Sequence, residues 1–421
     1  MPAVFYYQIY LFMTAVQLPI LPDEFWQFVE TNRQVNPSTL RLKYHKDGRD
    51  WINAAITQIE CMNKCKGKFG EFQPELMVST VSLEQATSAN VARLHGELAK
   101  SLLGYSANPQ MLDMTCGMGI DLKAIVMANP SVTVIGAEYT SELASATAYN
   151  FADFPNVEII NVNSVNWLNE NNCDGLFDLI FVDPARRDDN GGKVFNIHHC
   201  QPDVAELMPM LQTRCRNLMI KLSPMLDVTQ TLRDLPQTTD LYVVDDNGEC
   251  REILVVISFD GEKSSLSPKI HVWSNGLQFC FTAEEERGCG LEFAHPTAGQ
   301  WLYEPSPAMM KAAPFAIICT RYGLKKLHAN THLFVGDAPK FDLPGRWHEI
   351  EHVLDYSSSV LKNLRKTIAQ ADVAVRNFPI KAEMLQTRLK IKSGGNHRIM
   401  GVTTCKGDDS KQQKLLILRK E

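Results

Sequence analysis

The stretch that decides the fold is Gln110-Met-Leu-Asp113-Met-Thr-Cys-Gly117-Met-Gly119-Ile-Asp121, continued by Leu-Lys-Ala-Ile-Val-Met-Ala-Asn through residue 129. A short apolar run enters a turn with two glycines and leaves it as a helical pattern. Glycines at such a turn let backbone amides approach a ligand and aim a helix N-terminus at it. A dinucleotide fingerprint needs a third glycine at position 122, which is Leu, and a phosphate loop needs Gly-Lys-Ser/Thr, which does not follow here. An Asp four residues before the first glycine suits a ligand that presents an ammonium rather than a pyrophosphate.

Outward from this turn, short apolar runs alternate with helical stretches: QMLDM, VTVIGAE, VEIINV, FDLIFVD, NLMIKL, DLYVVDD and EILVVISF. Strands spaced by helices imply right-handed crossovers and a parallel sheet covered on both faces. The last link differs, because Asn247-Gly248 is a hairpin signal with no room for a helix, so the final strand runs antiparallel. The expected class is α/β: a seven-stranded Rossmann-like sheet with the last strand antiparallel. A helical N-terminal region precedes it, since DEFWQFVE, DWINAAITQIECM and LEQATSANVARLHGELAKSLLG carry apolar residues at three-to-four spacing. Within it, Glu84-Gln-Ala-Thr-Ser88 reads as a loop leading into a helix over the ligand site. After residue 265 the chain restarts with strands KIHVW and LQFCFT, a helix from Ser306 to about Tyr322, and small α/β modules to the end. The expected division is 1–106 helical, 107–265 for the sheet domain, 266–338 for a first small module and 339–421 for a second.

Ligands of open α/β sheets bind at the carboxyl ends of the strands, and several chemistry-bearing residues fall there. Glu138 ends the second strand, 25 residues after Asp113, where an acid takes both hydroxyls of a ribose. Asn163-Ser164 follow the third strand, within reach of an adenine edge, and Asp183-Pro-Ala-Arg-Arg187 ends the fourth.

With these residues in place, the sequence resembles the class I S-adenosylmethionine-dependent methyltransferases. DMTCGMGID is similar to the D-x-T-x-G-x-G-x-D loop of ribosomal-RNA guanine methyltransferases. The resemblance implies S-adenosyl-L-methionine as cofactor, held by Asp113, Thr115, Cys116, Gly117, Gly119 and Asp121, by Glu138 and Tyr139, and by Asn163 and Ser164. Asp183-Pro184 resembles the (D/N)PP(Y/F) motif that holds the nucleophile, with Ala185 in place of the second Pro and Arg186 in place of the aromatic. Arg186, Arg187, Lys221 and Ser223 are the expected substrate contacts, the cations as phosphate clamps. Enzymes that methylate uracil carbon place a nucleophilic Cys after the fifth strand. Ser223 stands there in Lys221-Leu-Ser223-Pro-Met, which favours methylation of nitrogen or another heteroatom. The whole chain resembles a bacterial group whose methyltransferase domain is followed by ferredoxin-like and THUMP-like modules. Glu304-Pro-Ser-Pro-Ala308 and Leu389-Lys-Ile-Lys-Ser-Gly-Gly395 are similar to that group's landmarks. THUMP modules bind structured RNA, so tRNA or rRNA is the implied partner.

Charge agrees with that partner only after the chain is divided. The net charge of the 421 residues is −6, yet Lys340 to Glu421 carry 16 Lys+Arg against 9 Asp+Glu, and the preceding 339 residues carry 26 against 39. A basic tail on an acidic body suits a polyanion, although a solvated basic face gives the same numbers. The 11 cysteines are odd in number and scattered, which suits a reducing cytoplasm. No metal is expected: Cys61-x-x-x-Cys65 and His198-His199-Cys200 lack a second pair at finger spacing. His348-Glu-Ile-Glu-His352 matches the zinc-protease pattern, but follows Pro344-Gly345 and suits the outer face of a strand. Residues 3–21 are apolar, yet Gln8, Gln17 and Pro19 interrupt any spanning helix, no basic leader precedes them, and a start at Met13 stays open. Two other readings remain: a methyltransferase acting on a protein or small molecule, and an inactive RNA-binding homologue.

Overall fold

The computed structural model describes residues 16–104, 106–170, 176–186, 196–259, 267–405 and 411–420. Met13 and most of the apolar leading segment lie outside them, as does Arg187. Among the described residues no helix is long and apolar enough to cross a membrane. The chain divides into two units, residues 1–238 with 254–264, and residues 239–253 with 265–421.

The first unit begins with five helices: α1 (Asp23–Asn32), α2 (Pro37–Lys43), α3 (Ile52–Lys64), α4 (Thr80–Gln85) and α5 (Ala89–Leu103). Each starts or packs for a local reason. Asn36 accepts the Ser38 amide at the head of α2, with Pro37 in the first turn, and Ser79 caps α4 through the Ser82 amide. Helix α3 buries Ile52, Ile56 and Ile59, one stripe at helical spacing. Strands β1 (Gln110–Asp113), β2 (Thr133–Glu138), β3 (Val157–Asn161) and β4 (Phe177–Val182) follow. Helices α6 (Ile120–Ala128), α7 (Ser141–Asn150) and α8 (Ser164–Glu170) alternate with them. The helical region has no separate core: Phe25, Ile56, Phe69 and Leu83 share one apolar cluster with Met118, Ile120 and Ala124 of the glycine turn and α6.

Two-residue strands β5 (Ala185–Arg186) and β6 (Cys200–Gln201) pair antiparallel. Helix α9 (Val204–Leu211), β7 (Cys215–Leu222) and α10 (Val228–Asp234) come next, then β8 (Asp240–Asp246) and β9 (Glu249–Ser258). The main sheet reads β3-β2-β1-β4-β7-β9-β8, and the five strands β3, β2, β1, β4 and β7 run parallel to one another. Asn247 and Gly248 both take positive φ, 54° and 80°, and reverse the chain between β8 and β9. The expected order of parallel strands closed by a hairpin is present.

The sheet does not stop at seven strands, and the sequence reading is corrected here. Strands β10 (Lys269–Ser274) and β11 (Leu277–Thr282), expected to open a new module, extend it to nine. Lys269 to Ser274 pair parallel with Asp240 to Asp245, which closes an edge that would otherwise present a row of unpaired backbone groups. A second correction concerns the helix from Ser306. Pro314 splits it into α12 (Pro307–Ala312) and α13 (Phe315–Tyr322) after α11 (Ala283–Gly288).

The rest of the second unit is a seven-stranded sheet. Its strands are β12 (Trp301–Pro305), β13 (Lys325–His328), β14 (Thr331–Gly336), β15 (Gly345–Asp355), β16 (Asp372–Arg376), β17 (His397–Cys405) and β18 (Lys411–Arg419), in the order β13-β14-β12-β15-β18-β17-β16. Helices α14 (Ser358–Thr367) and α15 (Ala382–Leu389) pack on it through Leu361, Leu364, Leu385 and Leu389. His348 and His352 lie on strand β15, so the zinc-protease pattern lacks the helix that would bring its two histidines onto one metal.

In the first unit, Gly96 is required by packing between helices. A Cβ at Gly96 of α5 would sit 2.7 Å from the Ala124 carbonyl oxygen and 3.1 Å from the Ala128 methyl of α6. Gly96→Val should force the helices apart and lower stability by about 1–3 kcal/mol. The urea midpoint of the first transition should fall accordingly; an unchanged midpoint would refute this close packing.

Candidate active site

The carboxyl ends of β1, β2 and β4 open on one cleft of about 920 Å³. The glycine turn forms its wall. Gly117 and Gly119 take φ of 52° and 77°, the left-handed region that favours glycine. Position 119 has a second reason: a Cβ there would lie 2.5 Å from the Phe151 ring and 3.1 Å from the Thr147 methyl. Thr147 Oγ1 donates to the Gly117 carbonyl at 2.6 Å, so α7 holds the turn from outside.

Glu138 reaches the same turn. Its Oε2 accepts the Gly117 amide at 3.1 Å and its Oε1 the Thr140 amide at 2.7 Å. Asn163 Oδ1 accepts the Val165 and Asn166 amides at the head of α8, and both Asn163 and Ser164 line the cleft beside the exposed Tyr139. Thr115 ties the turn to β4, since its Oγ1 accepts the Asp183 amide at 2.7 Å. Thr115, Cys116, Gly117, Asp121, Asp183 and Lys221 all line the cleft.

Beneath the wall lies a charged cluster. Lys221 Nζ, from the end of β7, donates to Asp183 Oδ2 at 2.5 Å, to Thr87 Oγ1 at 2.9 Å and to Asp121 Oδ2 at 3.3 Å. Asp121 also accepts Thr87 Oγ1 at 2.7 Å, and its Oδ1 lies 2.9 Å from His95 Nδ1 on the fully buried His95. Burial opposes ionisation of Asp121, but the Lys221 ammonium and the His95 ring outweigh it and hold the carboxyl well below the usual range. Asp113 behaves in the opposite way. It is 1% exposed, accepts the Thr115 amide at 3.0 Å, and burial pushes its carboxyl up to about 8 against the pull of that amide.

Several expected site residues sit elsewhere than in the cleft wall. Asp113 lies behind the turn, Pro184 is buried, and Ser223 Oγ accepts the Met225 amide at 3.2 Å. Lys221, expected to clamp phosphate, is ion-paired with Asp183 and Asp121 instead. The backbone of Arg186 belongs to β5. Burial raises the Cys116 thiol well above its ordinary value, which leaves it a space-filling group. Sequence reasoning missed His95, which joins the charged cluster. Thr87, from the stretch expected over the ligand site, joins it too, and His198, weighed in the sequence only as a metal ligand, lines the cleft with its Nδ1 2.9 Å from Asp203 Oδ2. The Asp203 side chain raises the His198 imidazole above its usual value. A signal for His95 existed: it lies on the apolar face of α5 with Val91, Ala92 and Ala99, where an imidazole needs a polar partner.

Strand order, a glycine turn after β1, an acid ending β2 and Asp-Pro ending β4 together define the class I methyltransferase fold. Residues 301–344 match a ferredoxin-like domain model and residues 345–420 a THUMP domain-like model. The chain is 24% identical over 337 residues to an uncharacterised S-adenosylmethionine-dependent methyltransferase of Mycobacterium tuberculosis, present in strains CDC 1551 and H37Rv. That likeness covers 78% of this chain and 86% of the relative. The crystal structure of a candidate methyltransferase from Porphyromonas gingivalis W83 superposes with a TM-score of 0.79 at 29% identity, over 96% of this chain and all (100%) of that one. The chain is thus a class I S-adenosylmethionine-dependent methyltransferase fold followed by ferredoxin-like and THUMP-like modules.

The raised Asp113 carboxyl fixes the sign of one pH effect. Folded, ligand-free protein keeps this proton up to about pH 8, whereas the unfolded chain releases it near 3.8, the ordinary value for an aspartate. The folded state therefore binds the extra proton between those limits, and this group's contribution falls as pH rises through the window and then levels. Asp113→Asn should flatten that fall. Urea midpoints at about pH 4.5, 6 and 8 test it, and parallel curves for wild type and variant would refute it.

Proposed function

We propose that the protein transfers a methyl group from S-adenosylmethionine to a nitrogen, or another heteroatom, of a base in structured RNA. The observation that carries this reading is Asp183: its carboxylate lines a nucleoside-sized cleft while its amide is bonded to Thr115 of the glycine turn. The residues of the cleft fit the cofactor chemically. Glu138 offers a carboxylate for a ribose diol, Asn163 and Ser164 offer polar groups for an adenine edge, and Tyr139 offers a ring beside them. Asp113, whose burial disfavours its charge, gains a partner when an ammonium approaches the turn formed by Thr115, Cys116, Gly117 and Gly119. When bound, S-adenosylmethionine supplies a methyl group on a sulfonium already activated for displacement.

The chain's own task is then orientation. Asp183 accepts a hydrogen bond from the target amine and aims its lone pair across the cleft, and Pro184 restrains the backbone at that point. Arg186 and Arg187 serve the phosphates of the substrate, whereas Lys221 stays with Asp183. RNA as substrate is supported by the excess of Lys and Arg after residue 340 and by the THUMP domain-like match over the same residues. An RNA substrate and unpaired cysteines both suit the cytoplasm.

Calorimetry with S-adenosylmethionine tests the first link: wild type should bind, and Glu138→Ala should weaken binding at least tenfold, through loss of a charge-assisted contact of about 1.5–3 kcal/mol. No binding by wild type would overturn the enzyme reading. Transfer of labelled methyl to total RNA from a deletion strain tests the second. Asp183→Ala should slow it by about 100-fold or more with cofactor affinity retained. A protein or small-molecule substrate would instead leave RNA unlabelled and give no linear fall of log affinity with log salt.

A further inference from the structure

The cluster under the cleft draws its members from three elements and from the segment that leads into one of them, and they converge on Asp183. Lys221 stands near the end of β7, Asp121 in the first turn of α6, His95 within α5, and Thr87 just before Ser88, the N-cap of that helix. An ammonium has three protons, and the three oxygens of Asp183, Asp121 and Thr87 take them. Asp121 in turn uses one oxygen for His95 and the other for Thr87 and Lys221. Exposure is graded along the chain: 40% of the Asp183 side chain is open, then 12% for Lys221, 13% for Asp121 and none (0%) for His95. Asp183 is the most exposed of the four; Lys221 and Asp121 reach the cleft lining while mostly buried, and His95 is wholly buried behind them.

We propose that Lys221, Asp121 and His95 are positioning residues for Asp183, anchoring its carboxylate in one orientation so that it accepts a hydrogen bond from the substrate rather than acting as a strong base. The inference rests on the reading of Asp183 as the group that orients the nucleophile. Two physical arguments support it. A carboxylate held by a partly buried ammonium is a weaker base than a free one, because protonation would break the pair. A network whose donors and acceptors are all matched has one low-energy arrangement, whereas a lone aspartate samples several rotamers. The proton released by an alkylated amine then passes to water, which the open side of the cleft admits.

The titratable groups that face Asp183 are Lys221 from β7, Asp121 from α6 and Asp113 from β1, with Glu138, His198, Asp203 and Glu206 lining the same cleft. The Lys221 ammonium is in direct contact with the carboxylate. Its removal therefore has a signature that loss of packing lacks. In Lys221→Met, kcat should fall by about 100-fold, with KM for both substrates nearly unchanged. The acid limb of the kcat profile should move up by about one to two pH units as the carboxyl loses its cation. Lys221→Arg should restore most of the rate and return the limb. His95→Phe should give a smaller loss, about tenfold, and His95→Gln, which keeps a donor for Asp121, should recover it.

A merely structural lysine would lower the melting temperature and leave the limb in place. Because Lys221→Met leaves two carboxylates without their cation, the double variant K221M/D121N serves where the single one does not fold. A carbon-13 titration of the Asp183 carboxyl in ligand-free protein, assigned with Asp183→Asn, gives a readout independent of turnover. Midpoints that stay together in wild type and variant would overturn the proposal. Absence of methyl transfer by wild type would overturn the functional reading instead, while the titration still decides whether Lys221 sets the state of Asp183.

Discussion

The ammonium of Lys221 is the constraint on which the first unit turns. It draws together the end of β7, the start of α6, the approach to α5 and the end of β4, four places with no local reason to meet. Carboxylates and an ammonium taken from water carry a desolvation cost of several kcal/mol each, and proximity alone seldom repays it. What repays it here is completeness: the ammonium protons, both Asp121 oxygens and the His95 ring nitrogen all have partners. Such a network stabilises less than an apolar core of equal volume, but it specifies one arrangement. The apolar cluster that joins the N-terminal helices to Met118, Ile120 and Ala124 supplies stability, and the polar cluster beside it supplies registration.

The same distinction explains the glycine turn. Gly119 is fixed by sterics, since Phe151 and Thr147 leave no room for a side chain. Gly117 is fixed by conformation and by what its groups do, with its carbonyl bound by Thr147 and its amide by Glu138. Glu138 therefore holds the turn in shape through its own carboxylate. A ribose that claims this carboxylate exchanges one set of hydrogen bonds for another, and the net gain is the difference between two similar sums. Cofactor affinity on this scheme comes from several modest exchanges across β1, β2 and β3 rather than from one dominant contact.

The sequence was legible where function depends on order along the chain. The parallel strands, the hairpin at Asn247-Gly248, the glycine turn and the strand-end acids follow from periodicity and from turn chemistry, both local properties. It was illegible where function depends on contacts between distant positions. Thr87 and Lys221 are 134 residues apart and Asp121 and Lys221 are 100 apart, so no spacing rule unites them. Lys221 read alone is a cation at a strand end, and a phosphate clamp is the natural inference until its neighbours are seen. The two added strands, β10 and β11, escaped for a similar reason. KIHVW and LQFCFT look like any hairpin, and only the open edge of β8 says where they belong. Pro314 was legible in principle, because a proline within a helical pattern ends the helix before it.

Charge shows how the two kinds of information combine. The acidic first part of the chain is not a uniform field. Asp113 is driven towards its neutral form by burial, Asp121 is held ionised by Lys221 and His95, and Asp183 shares the same ammonium. Three aspartates with the same intrinsic chemistry thus occupy three states, set by surroundings that composition cannot express. Counting them as −3 would misjudge the cleft, where Asp183 is the most exposed aspartate of the three. The basic tail is different, because solvated Lys and Arg keep their charge wherever they sit and their sum remains meaningful. Net charge by segment is therefore a sound guide to a polyanionic partner and a poor guide to a catalytic site, where individual environments outweigh the total.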